Sequence, residues 1–340
     1  MNLLFLNLYS GGLERGAESF THELVKRLGE IHQVTLIKGN CRLQPQHRFS
    51  GSLSNQLLKR LFLDDSGRQV LTFSLKQLPH IASSNYDVVF SLNGFWQLLL
   101  LKLLQPFKGY KIIVTGHSGP GWDERWNLYL KPTYFVATTK PTLDWARHTC
   151  SWIKSILIPY AIDPQTFQVK PAKINLPGPL ILCPAALVPY KRLDLAIRAV
   201  ANLRQGSLLI LGKGPLRRSL TILGHRLLGK RFLLTSVSYQ AIPSYYQTCS
   251  IVTLPSLPQE NSPMVFIEAL AAGKMVVATN SHRNRWMLGG AGSYVDPQDV
   301  NAYSQALKHT LGIKPDTSKP LQKFSWPAVT KKYQKLIREQ

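Results

Sequence analysis

The chain alternates short apolar runs with segments in which apolar residues recur at every third or fourth position. The short runs have the length of buried strands, and the wider spacing predicts amphipathic helices. In the first half we predict strands at residues 3–8, 33–37, 87–90, 111–115 and 134–137. Helices are predicted from Gly16 and over residues 55–63. Because strands and helices alternate, we expect an α/β fold with a parallel sheet covered on both faces.

A proline-rich stretch over residues 159–179 interrupts this pattern. Proline continues neither a helix nor a central strand, so we place the link between two domains there. The alternation then restarts, with strands predicted at residues 180–183, 207–211, 232–234, 251–254 and 275–278. Helices are predicted over residues 192–203, from Leu216 and over residues 265–272, and a last one over residues 324–337. The second half therefore repeats the fold type of the first.

The composition is that of an ordinary globular protein, with 340 residues of which 44% are hydrophobic and 17% charged. The net charge is +23, and no acidic residue occurs between Asp194 and Glu260. Such a field attracts anions. Charge alone does not distinguish nucleic acid, anionic lipid and phosphorylated small molecules, and a solvated basic surface explains it equally well.

Features of compartment and membrane attachment are few. The four cysteines are far apart in sequence, which indicates neither a disulfide framework nor a zinc site and favours a reducing compartment. The apolar start lacks a basic flank and is interpreted as a first strand, so we expect a cytoplasmic protein. The run at residues 95–104 is too short to span a bilayer. The apolar helices at 53–63 and 94–104 are either plain core or a docking face for an anionic membrane.

Ligands of open parallel sheets bind beyond the carboxyl ends of the strands, where turns and helix N-termini offer backbone N–H groups. Gly11 and Gly12 follow the first predicted strand in this way. A tight turn without a ligand is the alternative interpretation.

The strongest candidate pair is Glu260 and Glu268, placed eight residues apart at a predicted loop and helix. Pro263 suits the first helical position, and the amides of Met264 and Val265 are expected to face the ligand with the positive end of the helix dipole. The alternative is an acid that complements the dipole and a solvated glutamate beyond it.

Cations and a histidine also follow predicted strands. Lys191 and Arg192 precede a helix, and an amine there is able to neutralise a leaving phosphate, although such a pair is ordinarily a solvated face. Lys213 and Gly214 lie in a second glycine turn, and His117 follows the strand at 111–115. A turn and a lone histidine are modest signals by themselves.

Taken in order, these segments resemble the retaining glycosyltransferases of the GT-B type, family 4 (glycosyl transferases group 1). The resemblance rests on seven segments: GGLER at 11–15, IPYAIDPQTF at 158–167, LVPYKRLDLAI at 187–197, LGKGPLRRSL at 211–220, the pair of glutamates, GGAGSYVDPQD at 289–299 and FSW at 324–326. Each is weak alone, whereas their order is specific. It implies two Rossmann-like domains with parallel sheets facing a central cleft. Their ranges would be 1–165 on the acceptor side, 166–322 for the nucleotide sugar, and 323–340 as a helix that packs back on the first domain.

The resemblance also implies roles for the candidate residues. Glu268 would bind the ribose hydroxyls of the donor, and Glu260 would hold the sugar with the backbone amides that follow it, at Asn261, Ser262, Met264 and Val265. Lys191 would contact the diphosphate beside the turn of Gly11 and Gly12, with His117 close to the transferred sugar.

Two positions depart from the pattern of the family. Ala186 stands where the family commonly has an arginine, for which Arg192, Arg15 or Lys213 would substitute. Pro263 stands where a glycine is frequent, which removes one N–H donor.

The activity implied is transfer of a sugar from a nucleoside diphosphate to a hydroxyl of a glycan or lipid-linked acceptor, with retention of the anomeric configuration. The sequence has no Asp-x-Asp motif, so we expect no metal and no other cofactor. Nucleic acid is not an expected partner because no recognition motif for it occurs. The alternative function is a catalytically degenerate protein that binds a nucleotide sugar or a polyanion without turnover.

Overall fold

The computed structural model describes residues 1–10, 16–39, 53–257 and 260–339, and of residues 53–56 only the backbone. The chain forms two compact units. Unit 1 comprises Met1–Pro159 together with Thr330–Gln340, and unit 2 comprises Tyr160–Val329.

Unit 1 is built on a parallel sheet. Its described residues form the strands β1 to β6 at Asn2–Asn7, Gln33–Lys38, Val88–Ser91, Lys111–Gly116, Tyr134–Ala137 and Ser155–Leu157. Their order in the sheet is β2-β1-β3-β4-β5-β6, with every neighbouring pair parallel. After β2 has been added on one side of β1, the chain therefore returns and adds β3 on the other side.

Helices connect these strands. In the described part of unit 1 they are α1 to α6, at Gly16–Gly29, Leu53–Arg60, Asp65–Ser83, Phe95–Lys108, Trp122–Tyr129 and Lys140–Thr149. Thr139 caps α6, because its hydroxyl accepts the N–H of Thr142. The core joins Leu4 and Leu6 of β1 to Val89, Val114 and Phe135 of the strands beyond.

Unit 2 is built on a second parallel sheet. Its strands β7 to β12, within the described residues, are Leu180–Pro184, Ser207–Leu211, Phe232–Thr235, Ile251–Leu254, Val276–Thr279 and Gly292–Val295. They are ordered β12-β11-β10-β7-β8-β9, again with parallel neighbours. The strands β8 and β9 lie on one side of β7, and β10 then returns to its other side.

The helices of the described residues after β7 are α7 to α14, at Leu193–Ala201, Arg217–Leu228, Ile242–Thr248, Met264–Ala271, His282–Leu288, Val300–Thr310, Ser318–Gln322 and Trp326–Arg338. The last helix begins in unit 2 and ends in unit 1. In unit 1 its Tyr333 is buried, with its ring 6.2 Å from that of Phe90 and 6.4 Å from that of Phe20.

The division of the chain differs from the ranges 1–165, 166–322 and 323–340 expected from sequence. Unit 2 begins at Tyr160 because the segment after it packs on unit 2: the ring of Phe167 lies 5.5 Å from that of Tyr246, and Ile162 pairs with Ser325. Unit 2 ends at Val329, inside α14, rather than at a loop.

The prediction of two parallel α/β sheets is confirmed, and most predicted elements shift by one or two residues at their ends. The helix predicted over residues 55–63 already ends at Arg60, and the one predicted over 94–104 continues to Lys108. Two strands, β6 and β12, were not predicted. Both lie at a sheet edge, where β12 is only partly buried along its length. An edge strand buries fewer apolar side chains, so it leaves a weaker pattern in the sequence.

Candidate functional site

The carboxyl edge of the second sheet gathers most of the candidate residues. Strands β7 and β10 are neighbours in the sheet but not in sequence, so the connections that leave them run in opposite directions. A crevice of this kind is where open α/β sheets bind ligands. Lys191 follows β7 and Glu260 follows β10, which places one candidate on each side of it.

Lys191 and Glu260 form an ion pair in which Lys191 Nζ donates to Glu260 Oε2. The lysine is 8% exposed and the glutamate side chain 16%, so the pair is largely removed from water. Two such charges are stable together at low exposure because each compensates the desolvation of the other. Residues that are 69 positions apart in sequence thus share one chemical site.

Backbone hydrogen bonds hold the surrounding loops together. Leu257 N donates to Tyr190 O at 2.8 Å, which ties the loop of Glu260 to that of Lys191. The hydroxyl of Thr279, at the end of β11, donates to Ser256 O at 2.8 Å. The loops after β7, β10 and β11 are therefore fixed relative to one another, and the ion pair is preorganised.

Glu268 makes contacts that are separate from those of the ion pair. It is buried inside α10, and the hydroxyl of Tyr246 donates to its Oε2 at 2.7 Å. Burial raises the pKa of Glu268, and the hydrogen bond from Tyr246 partly offsets that rise. The expectation that it is a solvated glutamate, the alternative left open above, is wrong, because Tyr246 and Glu268 form a buried polar pair.

Replacing Tyr246 by Phe is expected to lower the free energy of unfolding by about 1 to 3 kcal/mol, because the buried carboxylate then lacks this donor. Urea denaturation at neutral pH measures the loss. Tyr303→Phe is the matched control: it also removes a buried hydroxyl of unit 2, one bonded to the hydroxyl of Thr253 rather than to a carboxylate. A loss for Tyr246→Phe no greater than that for Tyr303→Phe contradicts this account.

The residues between the two glutamates form the end of a loop and the first turn of α10. Pro263 is the N-cap of α10, with extended backbone (φ −67°, ψ 109°), so the helix begins at Met264 rather than at the proline as predicted. Met264 and Val265 accordingly lead the first turn, whose amides have no acceptor inside a helix. Asn261 is buried and Ser262 is partly buried between Glu260 and this turn.

Arg192 is partly neutralised by its own helix. Its backbone has a left-handed conformation (φ 49°, ψ 41°) at the N-cap of α7, and its guanidinium contacts the carboxylate of Asp194 at 3.3 and 3.4 Å. It is thus less suited than expected to replace a missing cation at Ala186.

The turn of Lys213 and Gly214 packs closely against the loop after β7. A Cβ at Gly212 would lie 1.8 Å from Ala185 O, and one at Gly214 would lie 2.6 Å from Leu187 O. Leu187 N also donates to Lys213 O at 2.9 Å. Both glycines are therefore required by close backbone approach, while the side chain of Lys213 is exposed to solvent.

In unit 1, His117 follows β4 directly, as predicted, and burial lowers its pKa to about 4. Its neighbour Ser118 donates its N–H to Glu124 Oε1 at 3.0 Å. Glu124 also accepts from Asn127 Nδ2 at 2.9 Å. Burial raises the pKa of this carboxyl to about 7. Three predicted residues, Gly11, Gly12 and Arg15, lie outside the described residues.

Sequence reasoning missed three polar residues of these sites. Arg283 lies just beyond β11, and its position after a predicted strand was a usable signal. Tyr246 had no signal because folding brings its partner Glu268 to it, and Glu124 had none because its shifted pKa depends on burial.

Other features of the described residues concern metals, thiols and membranes. Within the described ranges no three His, Cys, Asp or Glu side chains come together as a metal-binding group. The three cysteines that the structure describes, Cys150, Cys183 and Cys249, are free and buried. None of the described helices has both the length and the apolar character of a membrane span.

Comparison with known proteins adds a family match in unit 2. Residues 178–312 match the family model described as glycosyl transferases group 1. A GDP-mannose-dependent alpha-(1-6)-phosphatidylinositol monomannoside mannosyltransferase of Mycolicibacterium smegmatis is 29% identical over 147 residues, which cover 39% of this chain and 38% of that protein. An exopolysaccharide phosphotransferase of Streptomyces coelicolor is 31% identical over 195 residues, which cover 52% of this chain and 19% of that protein.

Solved structures resemble the chain over nearly its whole length. Sucrose-phosphate synthase from Thermosynechococcus elongatus superposes with a TM-score of 0.81 at 18% identity, covering 99% of this chain and 98% of that one. HepE from Anabaena, in complex with UDP, gives 0.76 at 17% identity and covers 99% of both chains. These likenesses show the fold, so the predicted fold class, GT-B with two Rossmann-like domains, is confirmed.

Proposed function

We propose that this protein is a glycosyltransferase that moves a hexosyl group from a nucleoside-diphosphate sugar to a hydroxyl acceptor with retention of the anomeric configuration. The observation that carries the proposal is the largely buried ion pair of Lys191 and Glu260 at the crevice between β7 and β10. It lies inside the region that matches glycosyl transferases group 1. The mannosyltransferase relative and the UDP complex of HepE support a nucleoside diphosphate as the leaving group.

The reaction places its greatest charge change on the diphosphate. The bond between the anomeric carbon and the phosphate oxygen breaks, and its electron pair stays on that oxygen. A preorganised cation stabilises the developing charge more than the ground state, which lowers the barrier. Lys191 supplies this cation, and its low exposure strengthens the interaction because water does not screen it.

The acceptor hydroxyl supplies the new bond to the sugar and the proton that the leaving phosphate takes up. Its hydroxyl oxygen forms the new bond to the anomeric carbon on the face that the phosphate leaves, and its proton passes to the departing phosphate oxygen. Glu260 holds the sugar hydroxyls with the amides at Asn261, Ser262, Met264 and Val265, and Glu268 accepts from the ribose hydroxyls. His117 is neutral at physiological pH, since its pKa lies near 4, so it serves the sugar as a hydrogen-bonding group rather than as a cation. We assign Gly11, Gly12 and Arg15 to the diphosphate on the resemblance alone.

A donor panel tests this function. UDP-glucose, UDP-galactose, UDP-N-acetylglucosamine and GDP-mannose are incubated with glycan and lipid-linked acceptors, with free diphosphate as the readout. We expect release with one donor, and unchanged release in the presence of EDTA because protein cations take the place of a metal. Calorimetric binding of a donor without release under any acceptor supports the non-catalytic alternative, and neither binding nor release contradicts both.

For the acceptor side we propose contact with an anionic membrane that presents a lipid-linked sugar. An exposed aromatic surface in unit 1 supports it, formed by Leu61, Trp122 and Tyr129, which are 52%, 47% and 45% exposed. Trp122 Nε1 donates to Arg60 O at 2.9 Å, and the ring of Trp126 lies 5.8 Å from those of Trp122 and Tyr129. Exposed tryptophan and tyrosine rings favour the membrane interface. Burial raises the pKa of Asp123, and the charges of Lys59 and Asp64 act on it in opposite directions. The anionic preference therefore comes from the overall charge of +23.

Replacing Trp122 by Ala is expected to weaken binding to vesicles of phosphatidylcholine and phosphatidylglycerol by about 10-fold, because a large apolar side chain no longer inserts. Sedimentation of the protein with vesicles measures it. Trp152→Ala is the control: Trp152 is 63% exposed, but it lies in the turn after α6 and is not one of the residues that form the aromatic surface. Equal vesicle binding by the wild type and both variants contradicts a role of this surface in membrane contact.

A further inference from the structure

The ion pair at the site leaves the charge of a diphosphate incompletely compensated. Lys191 donates to Glu260, so the two together carry no net charge. A nucleoside diphosphate brings more than one negative charge to this place. Binding it beside Glu260 requires a further cation, because the carboxylate otherwise repels the incoming phosphate.

Arg283 is placed to be that cation by the order of the strands. It lies in the first turn of α11, which follows β11, and β11 is the neighbour of β10 on the side away from β7. Lys191 therefore approaches the loop of Glu260 from one adjacent strand and Arg283 from the other. The hydroxyl of Thr279 ties the end of β11 to that same loop through Ser256 O.

Local hydrogen bonds fix the turn that carries Arg283. The hydroxyl of Ser281 accepts the N–H of Asn284 at 3.2 Å, and Asn284 Nδ2 donates to Thr279 O at 2.7 Å. The backbone at Arg283 is thus held close to the end of β11. A positioned guanidinium loses less freedom on binding a phosphate than a solvated side chain does.

The electrostatic surroundings of Arg283 also favour a role as a cation at this site. Burial lowers the pKa of Arg283, and the negative charge of Glu260 opposes that shift. An arginine remains protonated under these conditions. Arg285, two positions later, is exposed: its Nε donates to Asn280 Oδ1 at 2.9 Å, and its guanidinium lies 4.7 Å from the ring centre of Tyr294.

The other basic residues of this edge are less suited. The guanidinium of Arg192 contacts Asp194, and Lys213 is exposed to solvent in the turn after β8. Arg283 is partly buried and follows the strand next to Glu260.

We propose that Arg283 is the second cation of the donor site and that its guanidinium binds the distal phosphate of the nucleoside diphosphate opposite Lys191. This inference rests on the function proposed above. Two N–H groups of the planar guanidinium match two phosphate oxygens, which a single amine does not achieve. The arginine keeps that contact as the leaving oxygen gains charge, so it stabilises the products of bond cleavage together with Lys191.

Calorimetry with four ligands, UDP, UMP, GDP and GMP, tests the proposal on the full chain. Wild type is expected to prefer one diphosphate over the corresponding monophosphate. Arg283→Gln is expected to bind that diphosphate at least 10-fold more weakly, with affinity for the monophosphate changed less than twofold. Arg283→Lys, which keeps the charge without the planar fork, is expected to recover part of the loss.

Arg285→Gln is the matched control, since it removes the same charge from the same helix and is expected to bind as wild type. Thermal unfolding of each variant reports whether unit 2 stays folded, and Arg283→Lys carries the test if Arg283→Gln unfolds. Equal losses for diphosphate and monophosphate, or no loss in either Arg283 variant, overturn the role of Arg283 and leave the transferase proposal standing. Wild type that binds no diphosphate and releases none overturns both.

Discussion

Replacing Lys191 by Met is expected to lower kcat for sugar transfer by at least about 100-fold. The variant keeps most of the side-chain volume but removes the cation that we propose for the leaving phosphate. The loss of one such preorganised group typically costs about 3 kcal/mol of transition-state stabilisation. It also leaves Glu260 without its ion-pair partner, which adds repulsion toward the donor. Diphosphate release at saturating donor measures kcat. Lys230→Met, at an exposed position of unit 2, is the control for the loss of one positive charge.

Glu260→Gln and the double variant extend this prediction. Each single variant breaks the same ion pair, so the double variant is expected to lose much less than the product of the two single losses. Coupling of this kind is a signature of residues that act as a unit. Single variants with wild-type kcat, or effects in the double variant that simply multiply, contradict a shared role for Lys191 and Glu260.

Glu124→Gln is expected to change how stability depends on pH. The carboxyl of Glu124 is 3% exposed, and burial raises its pKa from 4.5 to about 7 in the folded protein. Below pH 4.5 both folded and unfolded states hold the proton. As pH rises from 4.5 through 7, the unfolded state releases it first, so the folded state of the wild type loses stability. That loss is about 3 kcal/mol between pH 4.5 and 8, whereas glutamine does not titrate.

Urea denaturation of both proteins at pH 4.5, 6 and 8 measures the difference in their free energies of unfolding. Gln is expected to keep the acceptor for Ser118 N, and Asn127 is able to turn its amide to accept from the new side chain. The lowered pKa of His117 acts in the opposite direction, with stability lost as pH falls from 6.5 toward 4, and it cancels because both proteins carry it. Asp144→Asn, at an exposed ion pair with Lys140, is the control. A difference that stays constant with pH shows that Glu124 does not hold its proton through this range.

The fold was largely predictable from the sequence because buried strands leave an apolar signature. The central strands β1, β7 and β10 contain few polar residues, and each was predicted within one or two residues of its position. The edge strands β6 and β12 bury less and were missed. The sequence predicted the boundary after residue 165, whereas the second unit begins at Tyr160, since the packing of Phe167 on Tyr246 joins residues far apart in sequence.

The candidate site was predictable as a set of residues and not as an arrangement. Lys191, Glu260 and His117 each follow a predicted strand, which is sufficient to place them at the carboxyl edge of a sheet, and Glu268 was predicted in the helix after one. The sequence did not show which of these side chains contact one another. Glu268 meets Tyr246 rather than a cation, and Arg192 turns to Asp194.

By itself, the amino-acid sequence determined the alternation of strand and helix, the excess of positive charge and the residues that lie at strand ends, because these depend on local periodicity and composition. Only the tertiary structure decided that β10 returns to the side of β7, that Lys191 therefore pairs with Glu260, and that Arg283 follows a strand adjacent to β10. It also decided the pKa of Glu124, which depends on burial. Strand order and burial are properties of the packed chain, so no local pattern encodes them.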